Sequence, residues 1–182
     1  MEHRTTAQLE AGLPEILQSP ADDGVLEMVI RRPAVDEREV LDLAELTFGE
    51  GVAGDTWNQR GSKRTDDGGP HPDMQLNVMN ARMVHLIAQD RERWPLAGDQ
   101  LFVDFDLTAA NVPPGTKLAI GTAVIEVTDQ PHTGCAKFTQ RFGLDAHRFV
   151  NAADRKQLHL RGINAKVVQE GEIRPGDRIK KV

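Results

Sequence analysis

The sequence predicts a mostly β fold with peripheral helices, in which the strands form a barrel. The clearest β signal lies at residues 101–107, where apolar side chains recur at every second position. Other short apolar stretches are separated by glycine and proline turns, which favours a barrel over a parallel doubly wound sheet. Gly121, inside an apolar run, indicates a bend or bulge of the kind found at a barrel corner.

The first part of the chain is expected to combine a helix with a strand. Residues 1–20 are predicted to form an amphipathic helical arm capped by Thr6, and residues 21–182 a single barrel domain. Residues 25–30 are expected to form the first strand. The apolar stretch at residues 40–48 fits a strand or a short helix, and its periodicity does not distinguish the two.

The remaining elements follow from periodicity and capping signals. Asn80 is expected to cap a short helix. Residues 138–158 are expected to form two helical pieces, broken near Gly143, with Asp145 capping the second. Strands are expected at residues 74–78, 101–107, 118–127 and 163–168, followed by a turn at residues 170–172 and a closing strand around Ile179.

Composition excludes several classes of protein. The 182 residues favour one domain, and the net charge of −6 argues against a nucleic-acid binder. A single cysteine allows no disulfide within the chain, which suits a reducing compartment. The sequence contains no apolar run of about 18 residues and no signal peptide pattern. We therefore expect a cytoplasmic protein with no membrane or nucleic-acid partner.

The single cysteine lies where a strand is expected to lead into a helix. His132 and Lys137 flank Cys135, and the helix N–H groups would point towards it, so three effects would favour the thiolate. A thiolate ligates a soft metal or accepts sulfur, whereas a thiol does neither well. The alternative is that Cys135 is a small buried apolar residue, and the local pattern alone leaves both interpretations open.

A glycine-rich polar loop at residues 49–72 carries basic side chains. Arg60, Lys63 and Arg64 lie in this loop, and Arg161 precedes the final long strand. Each alone is typical of a solvated surface charge. Brought together near Cys135, they would bind a phosphate such as the terminal phosphate of a pterin cofactor.

Other chemistries of cysteine and histidine find less support in the sequence. A Cys/His hydrolase needs an oriented base, and no signature of such an enzyme surrounds Cys135. One cysteine and six scattered histidines give no paired ligand spacing, so no zinc is expected. The sequence also contains no phosphate-binding loop of the nucleotide-binding folds.

Taken in order, the motifs of residues 25–179 resemble those of the MOSC family, named for the C-terminal domain of molybdenum cofactor sulfurase. Within that family the chain resembles a stand-alone bacterial MOSC protein. The resemblance is carried by Gly51-Val52-Ala53-Gly54-Asp55, Ala97-Gly98-Asp99-Gln100-Leu101, the paired strands at 118–128, Cys135, Arg161-Gly162-Ile163-Asn164-Ala165, Gly171 and Gly176-Asp177. The sequence departs from many members of the family: His132 replaces an arginine, Gly134 replaces a proline and Gln100 replaces an asparagine, and Asp67-Gly68-Gly69-Pro70 only partly matches a basic segment of the family.

The resemblance implies a distorted closed β-barrel of the MOSC type with its cysteine in a basic cleft. It makes Cys135 the ligand of molybdenum or of mobile sulfur, with Asp55 ordering the loop and Arg161 shaping the cleft. The predicted cofactor-binding set comprises His132, Thr133, Lys137, Arg60, Lys63, Arg64, Asp55 and Arg161. Pyridoxal phosphate, used by the large sulfurase, is not expected, because its Schiff-base lysine needs a separate domain.

We weigh three functions, of which the first two are what the resemblance implies. The first is a molybdenum-cofactor protein that reduces N-hydroxylated small molecules with electrons from a partner protein. The second is a carrier that takes a persulfide from a desulfurase and passes the sulfur to another protein. The third is a non-catalytic binding module in which the thiol of Cys135 is structural.

Overall fold

Residues 2–182, which the computed structural model describes, fold into eleven β-strands and three α-helices. The strands are β1 (Gly24–Arg31), β2 (Glu39–Leu41), β3 (Ala44–Thr47), β4 (Gly51–Val52), β5 (Leu76–Asn80), β6 (Leu101–Asp104), β7 (Lys117–Ile120), β8 (Ala123–Val127), β9 (Ile163–Gln169), β10 (Gly171–Ile173) and β11 (Arg178–Lys181). The helices are α1 (Thr6–Ile16), α2 (Ala81–Ala88) and α3 (Ala136–Val150). None of the helices in this part of the chain is long and apolar enough to cross a bilayer.

Seven strands close into a mixed barrel of the MOSC type. Their order is β11-β7-β8-β9-β5-β6-β1, and the pairing of β1 with β11 completes the circle at Gly24 and Ile179. Only β5 and β6 run parallel, with α2 and a 3-10 segment in the connection between them. A second sheet of β10, β3 and β4 lies beside the barrel. The predicted closed β-barrel is therefore confirmed.

Strand β1 contributes to two separate cores. Its register with β6 shifts between Leu26 and Met28, which marks a β-bulge. Because a bulge reverses the alternation of side chains, Leu26 and Val29 face the barrel core, whereas Met28 and Ile30 face the helices. The helix-side core includes Leu9 and Ile16 of α1 and four buried side chains of α3. This packing fixes α3, and with it the residue that precedes α3, against the barrel.

Most elements expected from the sequence are confirmed by the structure. Strands occur at each predicted position, the stretch at residues 40–48 forms β2 and β3, and Asn80 caps α2 through Arg82 N and Met83 N. The helix expected within residues 1–20 is α1; residue 1 lies outside the described residues. The division into an arm and a barrel domain remains a prediction.

Four local predictions were wrong. Thr5, not Thr6, caps α1, because its side chain and that of Gln8 form a reciprocal capping box. Asp145 does not cap a helix of its own segment but accepts a hydrogen bond from Thr6 N at 2.9 Å. The turn expected at residues 170–172 is largely β10, which pairs with β3. Gly121 is not a bulge within a strand, because it lies in the hairpin turn between β7 and β8 at a φ of 56°.

Candidate functional site

Cys135 lies between the barrel and α3. The loop at residues 128–134 leaves β8, and Cys135 then occupies the N-cap position of α3 with extended backbone. Its thiol is free and exposed, and it makes no capping hydrogen bond. An exposed cysteine at a helix N-terminus does not match the interpretation of a buried structural thiol, and it leaves the sulfur accessible to a ligand.

A buried carboxylate joins the loop at residues 128–134, which we call the cysteine loop, to the barrel. Asp99, which is fully buried, accepts hydrogen bonds from Arg161 NH1 at 2.8 and 2.7 Å and from His132 Nε2 at 2.7 Å. Arg161 also donates to Ala97 O at 3.0 Å, and its guanidinium lies over the Phe138 ring. Asp99 therefore links the loop before Cys135 to Arg161, and Arg161 in turn contacts the first turn of α3.

The charges of this cluster follow from its burial. Burial alone would raise the pKa of Asp99, but the ion pair with Arg161 and the bond from His132 outweigh burial and keep that pKa below its usual value. Burial, together with repulsion from Arg161, lowers the pKa of His132. We therefore take His132 as neutral at pH 7, donating Nε2–H to Asp99 and leaving Nδ1 as an acceptor. His132 then adds little of the positive charge expected beside the thiol.

A second buried ion pair orders the glycine-rich loop. Asp55 accepts hydrogen bonds from Arg32 Nε and Arg32 Nη2, each at 2.8 Å, and both side chains are almost fully buried. Asp55 also accepts Trp57 N at 2.8 Å, which caps the 3-10 turn Thr56–Gln59. All these contacts are with protein groups, so Asp55 can act on a ligand only through the shape of the loop.

Further arginines extend from this pair towards α3. Burial lowers the pKa of Arg38, and repulsion from Arg141 and Arg32 adds to the effect. Burial lowers the pKa of Arg60, again with repulsion from Arg32. Arg38 therefore feels the charges of Arg32, Arg60 and Arg141. These four residues, which we call the arginine cluster, remain protonated because arginine does not lose its proton in proteins.

Two carboxylates neutralise only part of this arginine cluster. Asp55 pairs with Arg32, and Asp36 lies 3.1 Å from Arg141 NH2 and 2.7 Å from Lys137 Nζ. Within residues 2–182, neither Arg38 nor Arg60 has a carboxylate within ion-pair distance, and the buried Nε of Arg38 has no hydrogen-bond partner. Because Lys137 and Arg141 lie on the first half of α3, the positively charged region begins on the same helical segment as Cys135.

A cavity of about 190 Å³ opens beside Arg60. Arg60, Ser62 and His71 are among its lining residues. Arg60 donates only to the Thr56 hydroxyl, and Ser62 Oγ accepts Arg64 N, which leaves the Ser62 proton free. His71 Nδ1 accepts Asp73 N, so the ring proton lies on Nε2. Arg60 therefore has only a neutral hydroxyl as its acceptor, and the Ser62 and His71 donors have none among the described residues, an arrangement suited to an anion such as phosphate.

A larger cavity of about 670 Å³ lies against the cysteine loop. His132, Thr133 and Gly134 line it from the loop, and Arg161 and Gly162 from the start of β9. The opposite side comes from the second half of α3 and the segment after it, through His147, Val150, Asn151, Lys156 and His159. The cavity combines an apolar floor with several imidazoles, which suits a small and partly apolar molecule.

The structure distributes the predicted cofactor-binding residues over three places. His132, Thr133 and Arg161 meet at the larger cavity, and Arg60 lies at the smaller one. Lys63 and Arg64 are exposed, and Arg64 lies 3.3 Å from Gln130 Oε1 of the cysteine loop. Lys137 is exposed and paired with Asp36. Their roles in binding a cofactor remain predictions.

Sequence reasoning missed three residues that the geometry singles out. Arg38 lies in a loop without a motif, and nothing in the sequence distinguishes it from a surface charge. His71 appeared to be an ordinary loop histidine. Asp99 did carry a signal, because it occupies a position within one of the motifs that support the family resemblance. Its role as the partner of His132 and Arg161 depends on contacts across 33 and 62 residues.

A family model describing the MOSC domain matches residues 68–180, more than half of the chain. The chain therefore belongs to the MOSC family, which is associated with binding of the molybdenum cofactor. A search of the curated proteins found no match.

Solved structures of other MOSC-type proteins share the fold. The YuaD protein from Bacillus subtilis is 16% identical, with a TM-score of 0.59 over 87% of this chain and 94% of that protein. YiiM from Escherichia coli is 20% identical, with a TM-score of 0.54 over 87% of this chain and 69% of that protein. YiiM from Geobacillus stearothermophilus is 15% identical, with a TM-score of 0.52 over 89% and 73%. At these identities the likeness concerns the fold alone.

Proposed function

We propose that this chain binds the molybdenum cofactor in the cytoplasm, with the thiolate of Cys135 as a ligand of the metal. The observation that carries the proposal is an exposed, unpaired thiol at the start of α3, on the segment that also contributes Arg141 to the arginine cluster. A soft sulfur ligand suits molybdenum, and the charge suits an anionic cofactor.

The donors of the smaller cavity fit the phosphate of such a cofactor. Arg60, Ser62 and His71 line it with hydrogen-bond donors, and among the described residues none of the three is paired with a carboxylate. A phosphate at this position would give these donors a charged acceptor. In this proposal the three lining residues hold the phosphate, while Asp55 and Arg32 keep the loop in place.

Bound molybdenum would supply two-electron redox chemistry, with electrons delivered by a partner protein. The small-molecule substrate would occupy the cavity of about 670 Å³ beside the cysteine loop. His132 lines that cavity and keeps Nδ1 as an acceptor, because Nε2–H is engaged by Asp99. An acceptor at this place suits the N–OH group of an N-hydroxylated compound, so His132 would orient the substrate.

Metal content tests the proposal directly. Protein from a host that makes the cofactor is expected to carry molybdenum and pterin fluorescence, and Cys135→Ser should lose most of the metal while keeping the fold. Lys117→Gln is the matched control, because it removes an exposed charge outside both cavities and outside the predicted cofactor-binding set, and it should leave the metal content unchanged. Equal molybdenum in wild type and Cys135→Ser would refute the role of the thiol.

The exposure of Cys135 also favours a second function, that of sulfur carrier. An exposed thiolate can accept sulfur from a desulfurase and transfer it to another protein, whereas a buried one cannot meet either partner. This function predicts a mass gain of one sulfur atom after incubation with a desulfurase and cysteine, reversed by a reductant. Because the chain has a single cysteine, the absence of that gain would exclude sulfur transfer at Cys135.

A further inference from the structure

The residue before Cys135 is held by the far end of the helix that Cys135 begins. Gly134 N donates to Asn151 Oδ1 at 2.9 Å, and Asn151 Nδ2 donates back to Gly134 O at 3.2 Å. His147 Nε2 lies 3.1 Å from the same carbonyl oxygen. Asn151 thus satisfies both backbone groups of Gly134, much as a neighbouring β-strand would.

Such contacts require α3 to fold back on itself. A straight α-helix rises about 1.5 Å per residue, which would separate residues 135 and 151 by about 24 Å. Gly143 breaks the helix with φ 90° and ψ 165°, a conformation open to glycine alone. The second half of α3 can therefore return to the start of the first half and bring Asn151 to Gly134.

The second half of α3 approaches Gly134 so closely that a side chain at this position would be crowded. A Cβ atom added at Gly134 would lie 3.1 Å from Asn151 Nδ2, 3.2 Å from His147 Cδ2 and 3.3 Å from Val150 Cγ2. Glycine permits this contact but has the freest backbone of any residue, so its conformation must be restrained from outside. The amide of Asn151 provides that restraint next to the thiol.

We propose that Asn151 is the positioning residue of Cys135, with His147 as its support, and that the folded-back α3 exists to hold this thiol in place. The inference rests on the proposed function, because a metal ligand must be held within about 0.5 Å of its productive position. Groups that orient a ligand in this way typically change metal affinity by about 10–100-fold when removed.

The hydrogen bonds between Asn151 and Gly134 form what we call the clamp. Amide hydrogen exchange in the metal-free protein tests the clamp without reference to activity. Asn151→Ala is expected to lower the protection of the Gly134 amide about tenfold, as the loss of its only acceptor implies. Asn151→Asp keeps an acceptor for the Gly134 amide, so the protection of that amide should fall only about threefold. If Asn151→Ala does not fold, the comparison of Asn151→Asp with wild type decides the matter.

Asn111→Ala is the matched control. Asn111 also bonds two backbone groups, Ala21 O at 2.9 Å and Asp106 O at 2.7 Å, but it does not contact the cysteine loop or α3. Asn111→Ala should lower the midpoint of urea unfolding about as much as Asn151→Ala does, and it should leave the protection of the Gly134 amide unchanged. Gly134 protection that is the same in wild type and both Asn151 variants would overturn the proposal.

The metal-loaded protein provides a second measurement. Molybdenum release on gel filtration is expected to be about tenfold faster in Asn151→Ala than in wild type, and unchanged in Asn111→Ala. Equal release in all three proteins would overturn the positioning role. If Cys135→Ser instead retains molybdenum like wild type, the proposed function fails, while the Gly134 exchange still decides whether the clamp exists.

Discussion

The charge balance around Asp99 gives a quantitative prediction. Asp99→Ala removes the only carboxylate that pairs with Arg161 among the described residues, and Arg161 is just 6% exposed. The guanidinium would remain buried and charged without a partner, which typically costs about 3–5 kcal/mol. Against a total stability of about 5–15 kcal/mol, such a loss leaves the barrel only marginally stable.

Urea unfolding measures this loss. With a slope of about 2 kcal/mol per molar urea, a loss of about 4 kcal/mol moves the midpoint down by about 2 M. The double variant Asp99→Leu with Arg161→Met should recover most of the stability, because it removes both charges together. Glu39→Gln, at the exposed pair with Arg31, should cost less than about 1 kcal/mol. A loss below about 1 kcal/mol in Asp99→Ala would show that the network is not a stabilising hub.

Three further predictions concern other parts of the barrel. The free energy of unfolding should fall as the pH drops below about 6.5, because the pKa of His132 is lower in the folded state than in the unfolded chain, so the unfolded chain binds the proton first. In urea titrations at several pH values, His132→Gln should reduce this dependence of stability on pH. An unchanged dependence would contradict the prediction. Arg60→Gln should weaken binding of inorganic phosphate at least about tenfold by calorimetry, whereas an effect no larger than that of Lys117→Gln would remove the phosphate site. Gly162→Ala should lower the free energy of unfolding by at least about 2 kcal/mol in urea titrations, because the φ of Gly162 is 110° and the new Cβ would lie 2.2 Å from Val78 O. An unchanged free energy of unfolding would mean that the backbone can shift to accommodate the Cβ.

The barrel could be predicted from the sequence because its strands carry a local signal. Along β8 the side chains alternate between buried and half-buried positions, so the spacing of apolar residues alone indicates a strand. Asn80 likewise caps α2 through bonds to residues two and three positions away, which are local enough to be visible in the sequence. Features of this kind depend on neighbours in the chain.

The candidate site depends on distant contacts and was only partly predictable. Cys135 could be singled out because it is the only cysteine and lies between a strand and a helix. The pairing of His132 with Asp99, and of Gly134 with Asn151, follows from tertiary packing that no local pattern encodes. The charge expected from Lys137 was likewise predictable, but its partner Asp36 lies 101 residues away.

X-ray absorption at the molybdenum edge tests the central claim most directly, because it counts the sulfur atoms bound to the metal. If Cys135 is a ligand, the wild-type protein should show one more sulfur neighbour than Cys135→Ser reconstituted with the same cofactor. An identical sulfur count in the two proteins would contradict the account.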